Sequence, residues 1–111
     1  DYSRYLIASS SSKPSFIIDQ HQTYAYPNPS YNENVIFRIH IGLAENLNIE
    51  IFDIAGYLIK SFSVDISSSS NFIKEVHWDV SAIDSGIYIA RVVATMSSDS
   101  EEKIIKVGVI K

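Results

Sequence analysis

Short apolar runs recur along the chain at intervals of about ten residues, and turn-forming residues separate them. In the runs from Val35 to Ile41 and from Leu47 to Asp53, large apolar side chains alternate with polar ones. Because successive side chains of a strand point to opposite faces, this alternation predicts antiparallel strands with one buried face. Further strands are predicted at Phe16 to Asp19, Thr23 to Tyr26, Tyr57 to Ile66, Phe72 to Trp78, Ile87 to Thr95 and Lys103 to Ile110. About seven such strands are typical of an all-β, two-sheet antiparallel sandwich.

Two turns are predicted between these runs. Asp53-Ile54-Ala55-Gly56 places a hydrogen-bond acceptor first and a residue that tolerates positive φ last, which suits a type I turn closed by a glycine bulge. Asp84-Ser85-Gly86 can form the same turn ahead of the next strand. We interpret both aspartates as turn caps rather than as catalytic acids. In the strand after the first turn, we expect Leu58, Phe62 and Val64 to point inward.

Composition supports a sheet protein and excludes several classes. The chain has 18 Ile and 8 Val against 4 Leu and 7 Ala, and β-branched residues favour strands over helices. A hydrophobic content of 46% is too high for a disordered chain. The net charge of -4, without a dense basic patch, argues against nucleic acid as a partner. The chain has no cysteine for disulfides or thiolate metal sites, and no apolar run approaches the ~20 residues that span a bilayer.

The N-terminal part of the chain differs from the rest. We expect residues 24–111 to form the domain, and residues 1–23 to be a linker or the tail of a preceding domain, with a first strand as the alternative. The serine run Ser9 to Ser12, followed by Pro14, is typical of a flexible linker, and Ser67 to Ser70 of an exposed loop. Because the chain starts at Asp1 without a signal peptide, we expect it to be a mature or excised piece of a longer protein.

Candidate catalytic chemistry is sparse. His77 and Asp79 share one face of a predicted strand and could supply half of a metal site. An exposed polar face opposite Val76 and Trp78 is the simpler interpretation. No Gly-x-Ser-x-Gly elbow accompanies the serines, and no two carboxylates are paired as glycoside hydrolysis requires. We therefore expect neither an enzyme nor a bound cofactor.

Aromatic residues leave a second function open. Trp78 and Tyr88 are in phase with apolar neighbours and are predicted to lie in the core. Five other tyrosines could form an exposed platform that binds sugars. The chain would then be a carbohydrate-binding or adhesive sandwich appended to a secreted hydrolase. These tyrosines crowd the N-terminal part of the chain: Tyr2, Tyr5, Tyr24, Tyr26 and Tyr31.

An ordered series of segments carries a resemblance to a known family. The first is Tyr26-Pro27-Asn28-Pro29, a stiff and extended segment, because each proline fixes its own φ and moves the preceding residue away from the α region. It is followed by VIFRI, by LNIEIFDIAGYLIKSF with its Asp-x-x-Gly turn, by VHWDVSAIDSGIYIARV, and by the lysine-bearing KIIKVGVIK. In this order, from about Tyr24 to Lys111, the chain resembles the type A C-terminal sorting domains of type IX secretion system cargo.

The resemblance implies an Ig-like β-sandwich that serves as an address label for an exported bacterial multidomain protein. The implied partners are the outer-membrane translocon and its shuttle proteins, a sortase-like peptidase, and the chain's own upstream cargo domain. The implied route leads through the periplasm to the cell surface or the medium. Cleavage is expected before Tyr26, near Ser9 to Lys13. An Ig-like domain of the flagellar hook-capping type, which has a similar hairpin, is a further alternative.

The resemblance also implies site residues. In the family the terminal strand is closely tied to recognition, so we expect Lys103 to Lys111 to form the functional surface, through an exposed strand edge and side chains. Within this strand Gly108 is expected to mark a bulge or a close backbone approach. The site residues implied by the resemblance are Pro27, Asn28, Pro29, Asp53, Gly56, Ser81, Gly86, Tyr88, Lys103, Lys106 and Lys111.

Overall fold

The computed structural model describes residues 17–66, 73–97 and 99–111. Within these residues there are eight β-strands and no helix: β1 Tyr24–Tyr26, β2 Ser30–Tyr31, β3 Val35–His40, β4 Asn46–Asp53, β5 Leu58–Val64, β6 Ile73–Trp78, β7 Gly86–Met96 and β8 Asp99–Ile110. A three-stranded sheet has the order β1-β3-β6, and a five-stranded sheet has the order β2-β8-β7-β4-β5. The all-β, two-sheet prediction is confirmed. Residues 1–16 of the expected linker, the expected cleavage site and the serine loop lie outside the described residues.

Burial follows the alternation of the sequence. The inward side chains of β3, β4, β7 and β8 are buried between the two sheets, while their neighbours along each strand are exposed or half-buried. A strand buries one face only when every second residue is apolar, which is the pattern of these segments. The buried residues of these four strands are Val35, Phe37, Ile39, Leu47, Ile49, Ile51, Tyr88, Ala90, Val92, Ala94, Ile105, Val107 and Val109.

Trp78 connects the two layers. Its ring stacks on Phe37 of the same sheet, with ring centroids 6.4 Å apart and planes at 28°. It also meets the Tyr88 ring of the five-stranded sheet edge-on, at 5.5 Å and 77°. Such offset and edge-to-face pairs are favoured arrangements of aromatic rings. The prediction that Trp78 and Tyr88 belong to the core is confirmed.

The strand β2 is an addition to the predicted set. It has only two residues, Ser30 and Tyr31, which is too short to produce a periodic pattern in the sequence. It pairs with Val109 and Ile110 of β8 in parallel, whereas the other strand pairs of the described chain are antiparallel. Strand β8 therefore lies second in its sheet rather than at a bare edge.

The inward direction predicted for Leu58 is wrong. Its side chain is 55% exposed, because the β4–β5 register shifts between Ile51 and Phe52 and places Leu58 opposite Phe52 on the outer face. A bulge of this kind puts the residues on its two sides out of phase, so Leu58 before the bulge points the opposite way to the residues after it. Beyond the bulge, Phe62 and Val64 pack against the core as predicted.

The turn predicted at Asp84-Ser85-Gly86 is also wrong. Gly86 is the first residue of β7, and no hairpin can form there because β6 and β7 belong to different sheets. The capping carboxylate of this connection is that of Asp79, whose Oδ1 accepts the Ser81 N–H at 2.9 Å. This hydrogen bond lowers the pKa of Asp79. Asp84 contributes its main-chain carbonyl, which accepts the Tyr88 hydroxyl at 2.7 Å.

The strand predicted at Phe16 to Asp19 is reduced to a single bridge, between Ile18 and Ile41. Ile18 is nevertheless only 1% exposed and belongs to the core. One oxygen of the Glu101 carboxylate accepts the N–H groups of Ile17 at 3.0 Å and Ile18 at 2.8 Å. The carboxylate adds to the main-chain hydrogen bonds that join this segment to residues 40–42. The residues just before β1 therefore pack on the sandwich.

Gly108 allows a close approach of two chain segments. A Cβ atom at this position would lie 3.3 Å from the Cβ of Pro29. The β7–β8 register continues without a shift through Gly108, so the close approach is confirmed and the alternative of a bulge is not. The absence of a side chain lets the proline lie directly on β8.

We expect Gly108→Ala and Gly86→Ala to change stability in opposite directions. A Cβ at Gly86 meets only ordinary contacts, the nearest being the Tyr88 ring at 3.8 Å. Gly86→Ala should raise the free energy of unfolding by about 0.5 kcal/mol, because the unfolded chain loses entropy. Gly108→Ala should lower it by about 1 kcal/mol through overpacking against Pro29. Urea denaturation of both variants checks this, and equal effects at the two glycines would contradict it.

Candidate functional site

The described part of the chain contains no cluster of side chains suited to binding a metal ion. Residues 17–66, 73–97 and 99–111 contain no group of three or more His, Asp or Glu side chains that could hold a metal ion. His77 and Asp79 therefore gain no further ligand there, and Asp79 is engaged in its turn. The described residues also contain no helix that is long and apolar enough to cross a membrane.

Most of the predicted site residues meet at one end of the five-stranded sheet. Asp53 at the end of β4 lies opposite Tyr88 of β7, and Tyr88 lies opposite Val107 of β8. Gly86, two positions along β7 from this row, pairs with Val109. The β4–β5 hairpin, the start of β7 and the end of β8 are therefore neighbours, although they are far apart in the sequence.

The β4–β5 hairpin has the predicted turn. The Gly56 N–H donates to the Asp53 carbonyl at 3.0 Å, and Gly56 has a φ of 94°. One oxygen of the Asp53 carboxylate accepts the N–H groups of Ala55 at 3.0 Å and Tyr57 at 2.9 Å, which confirms its role as a turn cap. The rigid turn holds the side chains of Ile54 and Tyr57 in solvent.

The Pro27-Asn28-Pro29 segment closes the edge of β8. Both X–Pro bonds are cis. The segment bends between β1 in one sheet and β2 in the other, so the expectation of an extended segment is wrong. The Asn28 side chain donates to the Lys106 carbonyl at 2.8 Å and accepts the Gly108 N–H at 3.1 Å. Its amide thus makes the two hydrogen bonds that a neighbouring strand would make.

Lys111 fastens the end of β8 to the loops beside it. Its ammonium donates to the carbonyls of Val80 at 2.6 Å and Ser81 at 3.2 Å, and to the Asn32 side chain at 3.1 Å. Its main-chain N–H donates to the Ser85 hydroxyl at 2.8 Å. The Lys111 ammonium is thus already surrounded by oxygen acceptors, and it joins the end of β8 to the neighbouring loops. Ser81 contributes to this contact only its main-chain carbonyl.

The other two lysines of the terminal strand differ in their availability. Lys103 lies on the inner side of β8, and its ammonium donates to the Gln20 carbonyl at 2.7 Å. Lys106 lies on the outer face opposite Ile89, and no hydrogen bond or ion pair of the described residues holds its ammonium. Of the three lysines, Lys106 is the one whose charge is available to a partner.

The outer face of the five-stranded sheet carries an apolar surface around Lys106. Leu58, Phe52, Ile89 and Lys106 lie side by side across β5, β4, β7 and β8. Exposed apolar side chains continue along the strands, with Ile87 44% and Ile104 51% exposed. We call this surface the outer patch; its apolar members are Phe52, Leu58, Ile87, Ile89, Ile104 and Ile110.

A charged row separates the outer patch from the polar remainder of the same face. The Arg91 guanidinium donates to Glu102 at 2.6 Å and to Glu50 at 3.2 Å. These two hydrogen bonds raise the pKa of Arg91. Because its own carboxylates satisfy Arg91, the row forms a polar rim. Ile104 lies opposite Arg91 within this row, and the other apolar members of the patch lie on one side of it.

The outer face of the three-stranded sheet is polar and aromatic. The Tyr24 and Tyr26 rings lie 5.8 Å apart at 49°. The Tyr26 hydroxyl donates to Glu75 at 2.8 Å, and Arg38 donates to the same carboxylate oxygen at 3.0 Å. Tyr31 lies in the other sheet, so these three tyrosines do not share one surface. Tyr2 and Tyr5 lie outside the described residues.

The contact between Asn28 and β8 is expected to stabilise the domain. Asn28→Ala removes the acceptor of Gly108 and the donor of Lys106, and should lower the free energy of unfolding by about 1–2 kcal/mol. Asn48→Ala is the control, because it removes a single exposed bond to the Ser63 hydroxyl and should change stability by less than about 0.5 kcal/mol. Thermal or urea unfolding measures both, and equal losses would refute a special role of Asn28.

The polar network on the smaller sheet can be tested through Glu75. The hydrogen bond from Tyr26, followed by that from Arg38, lowers the pKa of Glu75. Tyr26→Phe should therefore raise this pKa toward the ordinary range, whereas Tyr24→Phe should leave it unchanged. The carboxyl carbon shift in an NMR pH titration reports the pKa. The same pKa in both variants would contradict the assignment.

Comparison with known proteins places this architecture in a family. The family model described as secretion system C-terminal sorting domain matches residues 24–107. The match begins at the first residue of β1 and ends within β8, so it includes the prolines, the Asp53 hairpin and Lys106. No curated protein and no solved structure matches the chain. Because the family model covers most of the chain, the protein belongs to the secretion system C-terminal sorting domains.

Proposed function

We propose that this domain is a non-catalytic address label of the type IX secretion system, and that the secretion machinery binds the outer patch together with Lys106. The observation that carries the proposal is where the site residues implied by the resemblance lie. Asp53, Gly56, Gly86 and Pro29 all surround the end of the sheet at which apolar side chains and an unpaired ammonium are exposed.

Physical reasoning favours the outer patch over the family residues themselves as the contact surface. Asp53, Asn28 and Lys111 direct their polar atoms into the domain's own turns and strands. They shape the surface but offer few free groups. A contiguous exposed apolar patch with a polar rim is, by contrast, typical of protein interaction sites.

In this proposal the domain takes part in export without performing chemistry. The translocon and its shuttle proteins bind the outer patch while the cargo passes from the periplasm to the cell surface or the medium. A cargo domain preceding the chain is carried along, and a sortase-like peptidase cuts before Tyr26. The support for this route is membership of the sorting-domain family.

Surface variants test the proposal better than removal of the terminal strand. Residues Ile105, Val107 and Val109 are buried in the core, so deleting Lys103 to Lys111 would unfold the domain. The loss of export would then report misfolding. Substitutions on the outer face leave these core contacts in place.

We expect the triple variant Leu58→Ser, Ile87→Ser, Lys106→Glu to block sorting. In a bacterium with a type IX system, a reporter with a signal peptide is fused before residues 1–111 and its surface display is measured by protease accessibility. Display should fall about tenfold or more, because the apolar contacts and the charge are lost together. The reporter should then accumulate in the periplasm.

The matched control is Ile73→Ser on the smaller sheet, where the side chain is 39% exposed. It should leave display unchanged. Circular dichroism of the purified domains shows that each variant is folded. Normal display of a folded triple variant, or an equal loss in the control, would refute the outer patch as the recognised surface.

A further inference from the structure

The main-chain groups along the outer edge of β8 follow a regular pattern. The carbonyls of Glu102 and Lys106 and the N–H of Gly108 bond to side chains on the side of β8 that faces away from β7. In an antiparallel strand, the N–H and C=O of one residue point to the same side, and this side alternates along the chain. The even-numbered residues of β8 therefore direct both groups to the outer edge.

Three other parts of the chain already use this edge. Gln20 donates from its side chain to the Glu102 carbonyl at 2.9 Å, and the Asn28 amide bonds to Lys106 and Gly108. Strand β2 pairs with Val109 and Ile110. The edge of β8 is thus an established pairing surface within the domain, divided among short partners.

A gap remains between Gln20 and Asn28. The N–H groups of Glu102, Ile104 and Lys106 and the carbonyl of Ile104 have no hydrogen-bond partner in the part of the chain that the structure describes. An open groove of about 410 Å³ runs beside the gap, lined by β8 and by residues 20–28. Three donors and one acceptor therefore face a groove in strand geometry.

We propose that this gap binds an extended segment of a partner protein as an added β-strand. The inference rests on the proposed function, since the partner is then a component of the secretion machinery. Side chains opposite each other in paired strands share a face. The added strand would place an apolar residue beside Ile104 and an acidic residue beside Lys106, whose ammonium is free among the described residues.

A second copy of the chain fits the gap less well. If Ile104 paired with its counterpart in an antiparallel dimer, Val109 would lie opposite Asp99, the first residue of β8 in the other copy. The turn between β7 and β8 of that copy would then meet β2, which already pairs with Val109. A peptide that leaves the edge after a few residues avoids this collision.

Titration with short capped peptides tests the proposal on the complete chain. Two peptides of threonine residues carry one valine and one glutamate two positions apart, in either order, which covers parallel and antiparallel pairing. We expect one of them to shift the amide NMR signals of Glu102, Ile104 and Lys106. The controls are two forms of each peptide, one N-methylated at its odd-numbered residues and one at its even-numbered residues. Only the form whose methyl groups lie on the edge that pairs with β8 should fail to bind.

Two variants at one position separate main-chain from side-chain binding. Ile104→Pro removes the outward N–H, which the sheet itself does not use, and should weaken peptide binding about tenfold or more. Ile104→Thr keeps the N–H and should weaken it less than about threefold. The amide signals of β4 and β7 show whether each variant remains folded.

Several outcomes would overturn the strand addition. These are the absence of shifts at millimolar peptide, shifts confined to β4, β5 and β7, equal binding of both N-methylated peptides, and unchanged binding by folded Ile104→Pro. Concentration-dependent shifts of the same amides without peptide would indicate a second copy instead. If Ile104→Pro is also displayed normally while the outer-patch triple variant is not, the proposed function stands and the strand addition fails.

Discussion

The main-chain N–H and C=O groups on the outer edge of β8 need hydrogen-bond partners. Strand β2 pairs with only two residues of this edge. Asn28 supplies two of the missing bonds from its side chain, and Gly108 lets Pro29 lie close enough for Asn28 to reach them. This contact fixes where the chain crosses from the small sheet to the large one. The pairing of β2 with the end of β8 follows directly after this crossing.

The residues that the resemblance singled out in the sequence and the residues available to a partner are largely different. Asp53, Tyr88 and Lys111 each direct a polar group to the main chain of the domain itself. Turns and strand ends require polar groups of this kind. The outer patch needs only apolar side chains on one face, a requirement that many sequences can meet. Residues that are conspicuous in the sequence therefore need not be the residues that a partner contacts.

Local periodicity made much of the fold predictable, and long-range contacts account for what it missed. The alternation in β3 and β4 and the burial of Trp78 follow from neighbouring residues. The bulge that exposes Leu58 does not, because it arises from pairing with β4. Likewise, the Asn28 contact joins residues 78 positions apart, and no local pattern encodes it. For the same reason, Lys106 and Lys111 could not be told apart before their contacts were known.

An address domain has to be recognised without aggregating, and the edges of this sandwich reflect both demands. On β5 the bulge interrupts the edge, and Lys60 extends its ammonium over the Phe62 ring at 5.5 Å. On β8, Gln20 and Asn28 limit the open stretch to a few main-chain groups. So short a stretch is a weak template for unrelated chains, since few hydrogen bonds must offset the entropy of ordering them. A partner that also contacts the adjacent outer patch gains apolar burial as well, and selectivity then comes from requiring both.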